Sequence, residues 1–411
     1  MLINLREKMK TFLSLTYAAG AFFLVTAMLI WPQETFQAAI YGLELWATVL
    51  VPSLLPFFII AEILLNLGIV SLVGVLLEPV MRPLFNLPGS ASFVVAMGFT
   101  SGYPMGAVLT RRLYEEKECT LTEGERLVAF TNNSSPLFIM VAVSVGMFGN
   151  PLLGIILAAA HYTSNIIWGI ILGWFAPRQP VQRTRKENIF IRGIRSLLTA
   201  QKKRKPWGKL LGDAVRSGIG NITLIAGFVI IFAVIIRILL TTNLLYYPTC
   251  FIGFLLKLFH FDPDLRTAFA AGFWEMTLGL HEVSQLHVSL QEKAVAASII
   301  LGWSGLSIQA QVASVLSGSG IKVRHYFQGR FVQGLLSGII SYLLIRSSES
   351  WAPLVPVPVS TFKNEGVLSF GVLLNNLGYV GQIYYILLKI LLILVFVSFL
   401  VYFSRKIHAN I

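Results

Sequence analysis

The feature that most constrains this chain is a series of long apolar stretches that recurs along most of its length. An α-helix needs about 20 residues to cross the hydrocarbon core of a membrane, so apolar runs near or above about 18 residues predict spanning helices. We therefore predict an all-α polytopic membrane protein with about eight transmembrane helices. The predicted spans lie at about 12–31, 39–66, 127–149, 151–175, 212–240, 293–317, 329–346 and 379–403.

The amino-acid composition excludes a soluble enzyme. Charged residues make up 12% of the chain and hydrophobic residues 55%, with a mean hydropathy of +0.74. Ordinary soluble proteins carry roughly 25% charged residues, because their surface must be wetted. The two cysteines, Cys119 and Cys250, are too few for a disulfide framework.

Two further apolar stretches, at about 84–110 and 267–284, are interrupted by glycine and polar residues. The first contains GFTSGYP at 98–104, and the second contains EMTLG at 275–279. Non-helical backbone at membrane depth is stable only where protein or a water-filled cavity satisfies its polar groups. We therefore predict two re-entrant hairpins, each returning to the side of the membrane that it entered.

The basic residues support this topology. With the N-terminus inside and both hairpins returning, most of the 32 lysines and arginines fall in predicted cytoplasmic segments, as the positive-inside rule requires. Both termini are then cytoplasmic. Residues 1–34 are predicted to form an uncleaved transmembrane anchor, because no small-residue cleavage site follows the apolar run. Residues 347–411 are predicted to form an external loop and a C-terminal transmembrane helix.

A basic cytoplasmic linker is predicted at 177–211. Its segment 178–209 is rich in lysine and arginine and contains one acidic residue, Glu187. Such a segment is typical of a loop that contacts anionic lipid headgroups, and membrane lipids are its predicted partner. No nucleic-acid-binding fold accompanies the charge, so nucleic acid is not a predicted partner.

The linker separates two similar halves, 35–176 and 212–346. Three motifs of the first half match three of the second in the same order, including GFTSGYP with EMTLGLH and NSSPLFI with WSGLSIQ. Each half contains three predicted crossings and one hairpin, and an odd number of crossings inverts the second half. We therefore predict an inverted structural repeat. Repeats of this kind with interrupted helices are typical of secondary transporters, whose sites lie near the midplane.

Polar residues cluster at the hairpins and at two predicted helix breaks, one before Pro136 and one at Gly305. Polar residues at membrane depth are unfavourable and usually mark a substrate or ion path, although serine, threonine and asparagine also bond between helices. The predicted substrate-binding residues are Thr100, Ser101, Gly102, Tyr103, Asn132, Asn133, Ser134, Ser135, Thr277, Ser304, Gly305 and Ser307.

Glu275 is the candidate for coupling transport to sodium or to a proton, unless its carboxylate is wetted at the mouth of the hairpin. Three residues are secondary candidates. Arg216 either faces an anionic substrate or extends to the headgroups. His161 either relays protons or bonds between helices, and Gln309 belongs to the second polar cluster.

The chain shows no enzyme signature. No P-loop, dinucleotide fingerprint or serine–histidine–acid arrangement is present. His281 and Glu282 begin like a zinc-binding helix, but Gln285 stands where the second histidine is required. We therefore predict no enzyme activity, no metal and no cofactor apart from a coupling cation.

Four motifs carry a resemblance to known proteins: GFTSGYPMGA (98–107), FTNNSSPLFI (130–139), FWEMTLGL (273–280) and GWSGLSIQAQV (302–312). They resemble the nucleoside-recognition gate-type membrane domain and, more closely, the YlbJ family of sporulation integral membrane proteins. The resemblance covers essentially 35–345.

The resemblance implies a transporter-like core related to concentrative nucleoside transporters, in which two hairpins and two broken helices enclose substrate and a coupling cation. The nucleoside transporters have a Gln-Thr-Glu signature in the first hairpin, where this chain has Thr-Ser-Gly-Tyr. For the sporulation family, the implied role is to move dipicolinic acid across the cell membrane or the membrane around the forespore, by alternating access. The alternatives are a cation-coupled nucleoside-type transporter and a non-transporting sporulation scaffold. A homo-oligomer is compatible with either.

Overall fold

The computed structural model describes residues 2–177, 189–202 and 206–349. Every regular element in these residues is a helix, which confirms the all-α prediction. The predicted C-terminal helix at 379–403 lies outside the described residues, as does most of the predicted external loop.

The first half of the chain forms eight α-helices and three π-helical segments. One π-helix, Trp46–Leu50, joins α2 to α3, so that the three segments form one continuous helix. The α-helices are α1 (Leu2–Ile30), α2 (Pro32–Leu45), α3 (Val51–Asn66), α4 (Ile69–Val80), α5 (Ala91–Ser101), α6 (Met105–Glu115), α7 (Leu121–Thr131) and α8 (Pro151–Phe175), and the other π-helices are Met81–Phe85 and Phe138–Met147.

The second half forms eight more α-helices. The longest of them, α10, has 35 residues. They are α9 (Ile189–Lys202), α10 (Trp207–Thr241), α11 (Tyr246–Leu258), α12 (Leu265–Trp274), α13 (Met276–Gln285), α14 (Leu290–Trp303), α15 (Gly305–Leu316) and α16 (Arg324–Glu349).

Side-chain caps fix where several of these helices begin. Thr120 and Glu123 form a capping box at the start of α7, and Ser289 and Glu292 form one at the start of α14. At α8, the side chain of Asn150 accepts hydrogen bonds from the first backbone N–H groups. These residues satisfy donors that have no partner within the helix, and each typically stabilises the helix by about 1 kcal/mol.

Four helical segments in the described residues are long and apolar enough to cross a membrane: Pro32–Leu64, Pro151–Phe175, Trp207–Thr241 and Leu290–Leu316. They coincide with four of the predicted spans. The predicted span at 12–31 falls on α1. The predicted span at 329–346 falls on α16, which packs along α14 and α8.

In the predicted span 127–149, the chain is irregular between Thr131 and Pro136, where the break before Pro136 was predicted, and a π-helix follows. The structure also has helices that were not predicted: α4 and α11 each lie between a predicted span and a predicted hairpin. The linker, predicted as a loop, contains the helix α9, which packs against α4. There Arg192 Nη2 lies 2.6 Å from Glu78 Oε2.

The largest apolar core joins helices from both halves of the chain. It includes Leu54 of α3, Ile139 of the third π-helix, Ile222 of α10, Met276 of α13 and Ile308 of α15. The interrupted helices therefore meet inside one core, and their polar turns are brought together there.

Candidate functional site

The first helical hairpin consists of α5 and α6, which are joined by a turn at Gly102–Pro104. Gly102 has φ +81°, a conformation that glycine adopts without strain. Two other glycines, Gly98 and Gly106, lie directly against the carbonyl oxygen of Thr131, where a Cβ atom would stand 2.1 and 2.5 Å away. The two helices of the hairpin thus enclose the C-terminal end of α7.

The first helix break, Asn132–Ser135, follows at that end of α7. Pro136 has no backbone N–H and disfavours helix in the residue before it, which explains why the helix stops here. The Asn132 side chain accepts from Ala107 N at 2.9 Å and donates to Val128 O at 3.0 Å. The Asn133 side chain donates to Phe130 O at 3.2 Å. Both asparagines are fully buried, and these hydrogen bonds join their side chains to backbone groups of the protein.

The helix α8 covers this break with three polar side chains. His161 Nε2 accepts from Ser134 N at 3.3 Å, and the Tyr162 hydroxyl donates to Ser134 O at 2.8 Å. Asn165 Nδ2 donates to Asn133 Oδ1. The backbone groups that the break leaves free are therefore satisfied by side chains of another helix.

Arg330 of α16 completes the first break and was not predicted to belong to the site. The sequence prediction places it at the cytoplasmic flank of a span, whereas it is fully buried in the structure. Its guanidinium donates to Asn132 O at 2.7 Å, Ala129 O at 3.1 Å and Asn165 Oδ1 at 3.1 Å. It thereby caps the carbonyl end of α7, where a cation is favourable.

A sequence signal for Arg330 exists in α16. Arg330, Gln333, Ser337 and Ser341 recur at helical spacing, and all four are fully buried. Polar residues on one face of an apolar helix indicate that this face is turned into the protein.

The second helical hairpin consists of α12 and α13, which pack closely at Gly272 and Gly279. Glu275 lies between the two helices and has an extended backbone. It is the N-cap of α13, since its Oε2 accepts a hydrogen bond from Leu278 N at 2.7 Å. The carboxyl group is 3% exposed as a residue and lies at the positive end of a helix.

The second helix break is the single residue Ser304, between α14 and α15. Ser304 has φ +67°, and Gly305 has φ +76°. A Cβ atom on Gly305 would stand 2.8 Å from Met276 N, so this break lies directly on the turn of the second hairpin. The hydroxyls of Ser304 and Ser307 are buried without a hydrogen-bond partner among the described residues, as is Gln309 Oε1.

The turns of both hairpins and the first break line one cavity of about 90 Å³. The wall on the other side is apolar and comes from α3, α10 and α15, with Gln311 as an additional polar residue. The predicted site residues that line the cavity are Ser101, Gly102, Tyr103, Ser134, Ser135, Glu275 and Thr277.

The other predicted residues lie elsewhere. Thr100 is exposed and its hydroxyl donates to Ala96 O at 2.8 Å, while Arg216 is exposed on α10. Asn132, Asn133 and His161 are buried behind the cavity wall. Gln309 Nε2 donates to Trp303 O at 3.0 Å. Ser304, Gly305 and Ser307 are buried at the second break, whose neighbour Ile308 lines the cavity.

In the part of the chain that the structure describes, no three His, Cys, Asp or Glu side chains are grouped so that they would hold a metal ion. The polar groups of the cavity are hydroxyls, helix ends and one carboxyl group. Such groups bind and orient a solute but supply no nucleophile–base pair for catalysis.

Comparison with known proteins identifies the family of this chain. A family model described as "Gate: Nucleoside recognition" matches residues 47–163, which include the first hairpin and the first break. The chain is an integral membrane protein of helical architecture with a gate region. It is 42% identical over 346 residues to the sporulation integral membrane protein YlbJ of Bacillus subtilis (strain 168), covering 83% of each chain. The chain therefore belongs to the YlbJ family.

A second relative is an uncharacterized protein of Alkalihalophilus pseudofirmus. It is 31% identical over 181 residues, which is 43% of this chain and 37% of the relative. Among solved structures there is no significant match.

Proposed function

We propose that this protein is a secondary transporter or facilitator that moves a small polar solute across a membrane by alternating access. The observation that carries the proposal is the cavity at which polar turns of both hairpins meet, with Tyr103 on one side and Glu275 on the other. Interrupted helices at a shared polar cavity are the usual construction of a transporter site. In such a cycle, movement of either hairpin would open the site to one side of the membrane.

The solute that we propose is dipicolinic acid, taken up or released during endospore formation. Its two carboxylates need donors, and the cavity lining offers the hydroxyls of Ser101 and Thr277. The N-terminus of α15 has no side-chain cap, and free N–H groups there favour an anion. The Bacillus relative is a sporulation integral membrane protein.

Glu275 is the proposed coupling group. Its carboxyl is buried in the cavity wall, and one of its oxygens is held by the N-terminus of α13. The carboxyl group would take up a proton or a sodium ion, and loss of that cation would leave a buried charge that favours rearrangement of the hairpin. Thr277, on the first turn of α13, lines the cavity beside it.

The membrane that we propose is the bacterial cell membrane or the membrane around the forespore, with both termini in the cytoplasm. The basic segment 178–209 would then face anionic lipid. In its described part, α9 exposes Ile191, Ile194 and Leu198, which suits a helix lying at the interface.

The test is uptake of radiolabelled dipicolinate into proteoliposomes, with sodium and pH gradients imposed in turn. Glu275→Gln keeps an oxygen that can cap α13 but removes the charge, and we expect it to lower gradient-driven uptake by roughly tenfold or more. The matched control is Glu292→Gln, which changes the same residue type in the capping box of α14 away from the cavity. Normal coupled uptake by the Glu275→Gln protein would contradict the coupling role.

A nucleoside is the second candidate solute, because the matching family model is described as nucleoside recognition. Uridine uptake in the same vesicles distinguishes the two. Uptake of uridine without dipicolinate would transfer the proposal to nucleosides. Uptake of neither solute by folded protein would favour a non-transporting scaffold.

A further inference from the structure

Arg330 is a buried cation without a buried counter-ion. It is 0% exposed, and no carboxylate in the described part of the chain forms an ion pair with it. Its hydrogen-bond partners are two backbone carbonyls, the Asn165 amide oxygen and the Tyr103 hydroxyl. All of these acceptors are neutral, and Nε has no partner among the described residues.

An uncompensated charge of this kind is unusual, because buried charges are normally paired. The carbonyl end of α7 offsets part of it, since a helix C-terminus carries about half a negative charge. The Tyr326 ring, whose centroid lies 5.3 Å from the guanidinium carbon, offsets a further part. A net positive potential remains in surroundings of low dielectric, where it acts over a longer distance than in water.

Tyr103 connects this charge to the cavity. Its side-chain oxygen lies 3.4 Å from Arg330 Nη1, and the residue lines the cavity. A hydroxyl that accepts from a cation becomes a better donor toward a third group. Glu275 also lines the cavity, but it forms no ion pair with Arg330 and lies at the positive end of α13, which offsets part of its own charge.

We infer that Arg330 is the positioning residue that makes the cavity select anionic solutes over neutral ones of the same shape. It does so through its fixed charge and through Tyr103. This inference rests on the proposed transport of a small solute, and it adds the residue that determines the charge of that solute.

The test changes the charge without deleting the arginine, because Arg330 also caps α7. Asn165→Asp places a carboxylate at the position of an oxygen that already lies 3.1 Å from Arg330 Nη2. The matched control is Asn165→Ala, which loses the same amide but adds no charge. Arg330→Lys retains the positive charge but loses the planar guanidinium group, which donates to several acceptors at once.

Each full-length protein is purified and titrated calorimetrically with two probes: the dianion dipicolinate and the neutral pyridine-2,6-dicarboxamide, which has the same ring. For Asn165→Asp we expect a loss of dipicolinate affinity of roughly tenfold or more, with the diamide affinity within about threefold of wild type. For Asn165→Ala and Arg330→Lys the ratio of the two affinities should stay within about threefold of wild type. Thermal unfolding midpoints verify that the variants are folded.

A wild-type ratio in folded Asn165→Asp protein would overturn the role of Arg330 and leave the proposed transport intact. An equal change in the ratio of the two affinities in Asn165→Ala would also overturn it. The lost amide contact, and not the added charge, would then explain the change in selectivity. Failure of the wild type to bind either probe would overturn dipicolinate as the proposed solute, and this inference with it.

Discussion

The two helix breaks differ in how their buried polar groups are hydrogen-bonded. At the first break, Asn132–Ser135, the freed backbone groups are held by side chains from α8 and α16, including Tyr162 and Arg330. At the second break, the chain turns at Ser304 alone, and the hydroxyls of Ser304 and Ser307 are buried without partners among the described residues. A saturated break is rigid, whereas a break with unsatisfied buried groups indicates where water or a solute completes the hydrogen bonds.

The breaks also differ in how a glycine brings each of them against a hairpin. At the first break the glycine is in the hairpin turn, where a Cβ atom on Gly102 would stand 3.2 Å from Ser135 Cβ. At the second, the glycine is in the break, and Gly305 lies against the backbone of Glu275 and Met276. Movement of either hairpin is therefore coupled to the break that it touches.

Two helix ends, one at the first break and one at the turn of the second hairpin, carry charges of opposite sign. Arg330 lies at the carbonyl end of α7, and Glu275 lies at the amide end of α13. Each charge is of the sign that the helix dipole favours. The site thus places one fixed cation and one ionisable carboxyl on different elements, which is what separate solute selection and ion coupling require.

The largest effect is expected from Gly305→Ala at the second break. The substitution combines a left-handed backbone with a clash against Met276 N, so we expect it to lower the free energy of unfolding by about 2–4 kcal/mol. The control is Gly318→Ala, which has nearly the same φ, +77°, but nothing within 4 Å of the new Cβ. It should lower the stability by about 1 kcal/mol. Thermal unfolding in detergent measures both, and equal shifts would show that the contact between break and hairpin is absent.

An intermediate effect is expected at the cap of α13. Glu275→Ala removes the acceptor for Leu278 N and should lower the stability by about 1–2 kcal/mol. Glu275→Gln retains an acceptor and should lower it by less than about 0.5 kcal/mol. If both substitutions lowered the unfolding midpoint equally, the charge of Glu275 rather than the cap would hold the hairpin.

The smallest effects compare one serine from each break. Ser135 Oγ accepts from Phe138 N at 3.2 Å, so Ser135→Ala should lower the stability by about 1 kcal/mol. Ser307→Ala removes a buried hydroxyl that has no partner among the described residues, so it should change the stability by less than about 0.5 kcal/mol. Unfolding midpoints test the pair. A large loss of stability in Ser307→Ala would mean that its hydroxyl is already satisfied within the protein.

The helices and their interruptions were largely predictable from the sequence. The runs at 151–175 and 212–240 predicted α8 and the apolar part of α10, because span length and hydropathy are local properties. The interruptions at Gly102 and Glu275 and the breaks before Pro136 and at Gly305 were predicted at the residues where the structure has them. The helix α9 was not predicted, because the segment was interpreted from its basic charge and not from its amphipathic pattern.

The candidate site was predictable only in part. The polar residue types pointed to the correct turns, but Asn132 and Asn133 were assigned to the solute, and in the structure their amides bind backbone groups. Thr100 and Arg216 are exposed away from the cavity. Which polar atoms are already satisfied depends on neighbours that are distant in sequence, and a local pattern carries no information on them.

The sequence by itself determined the chemical class of this protein: a helical membrane chain whose apolar helices are broken at a few polar turns. Proline without a donor and glycine with a left-handed backbone break a helix wherever they occur, so these positions needed no knowledge of the fold. Only the tertiary structure decided that Arg330, almost 200 residues after Asn132 in the chain, caps the first break. The hydrogen-bonding and charge balance of a buried site is settled by which helices pack together, and that packing brings the cation of α16 to Tyr103, which lines the cavity at the two hairpins.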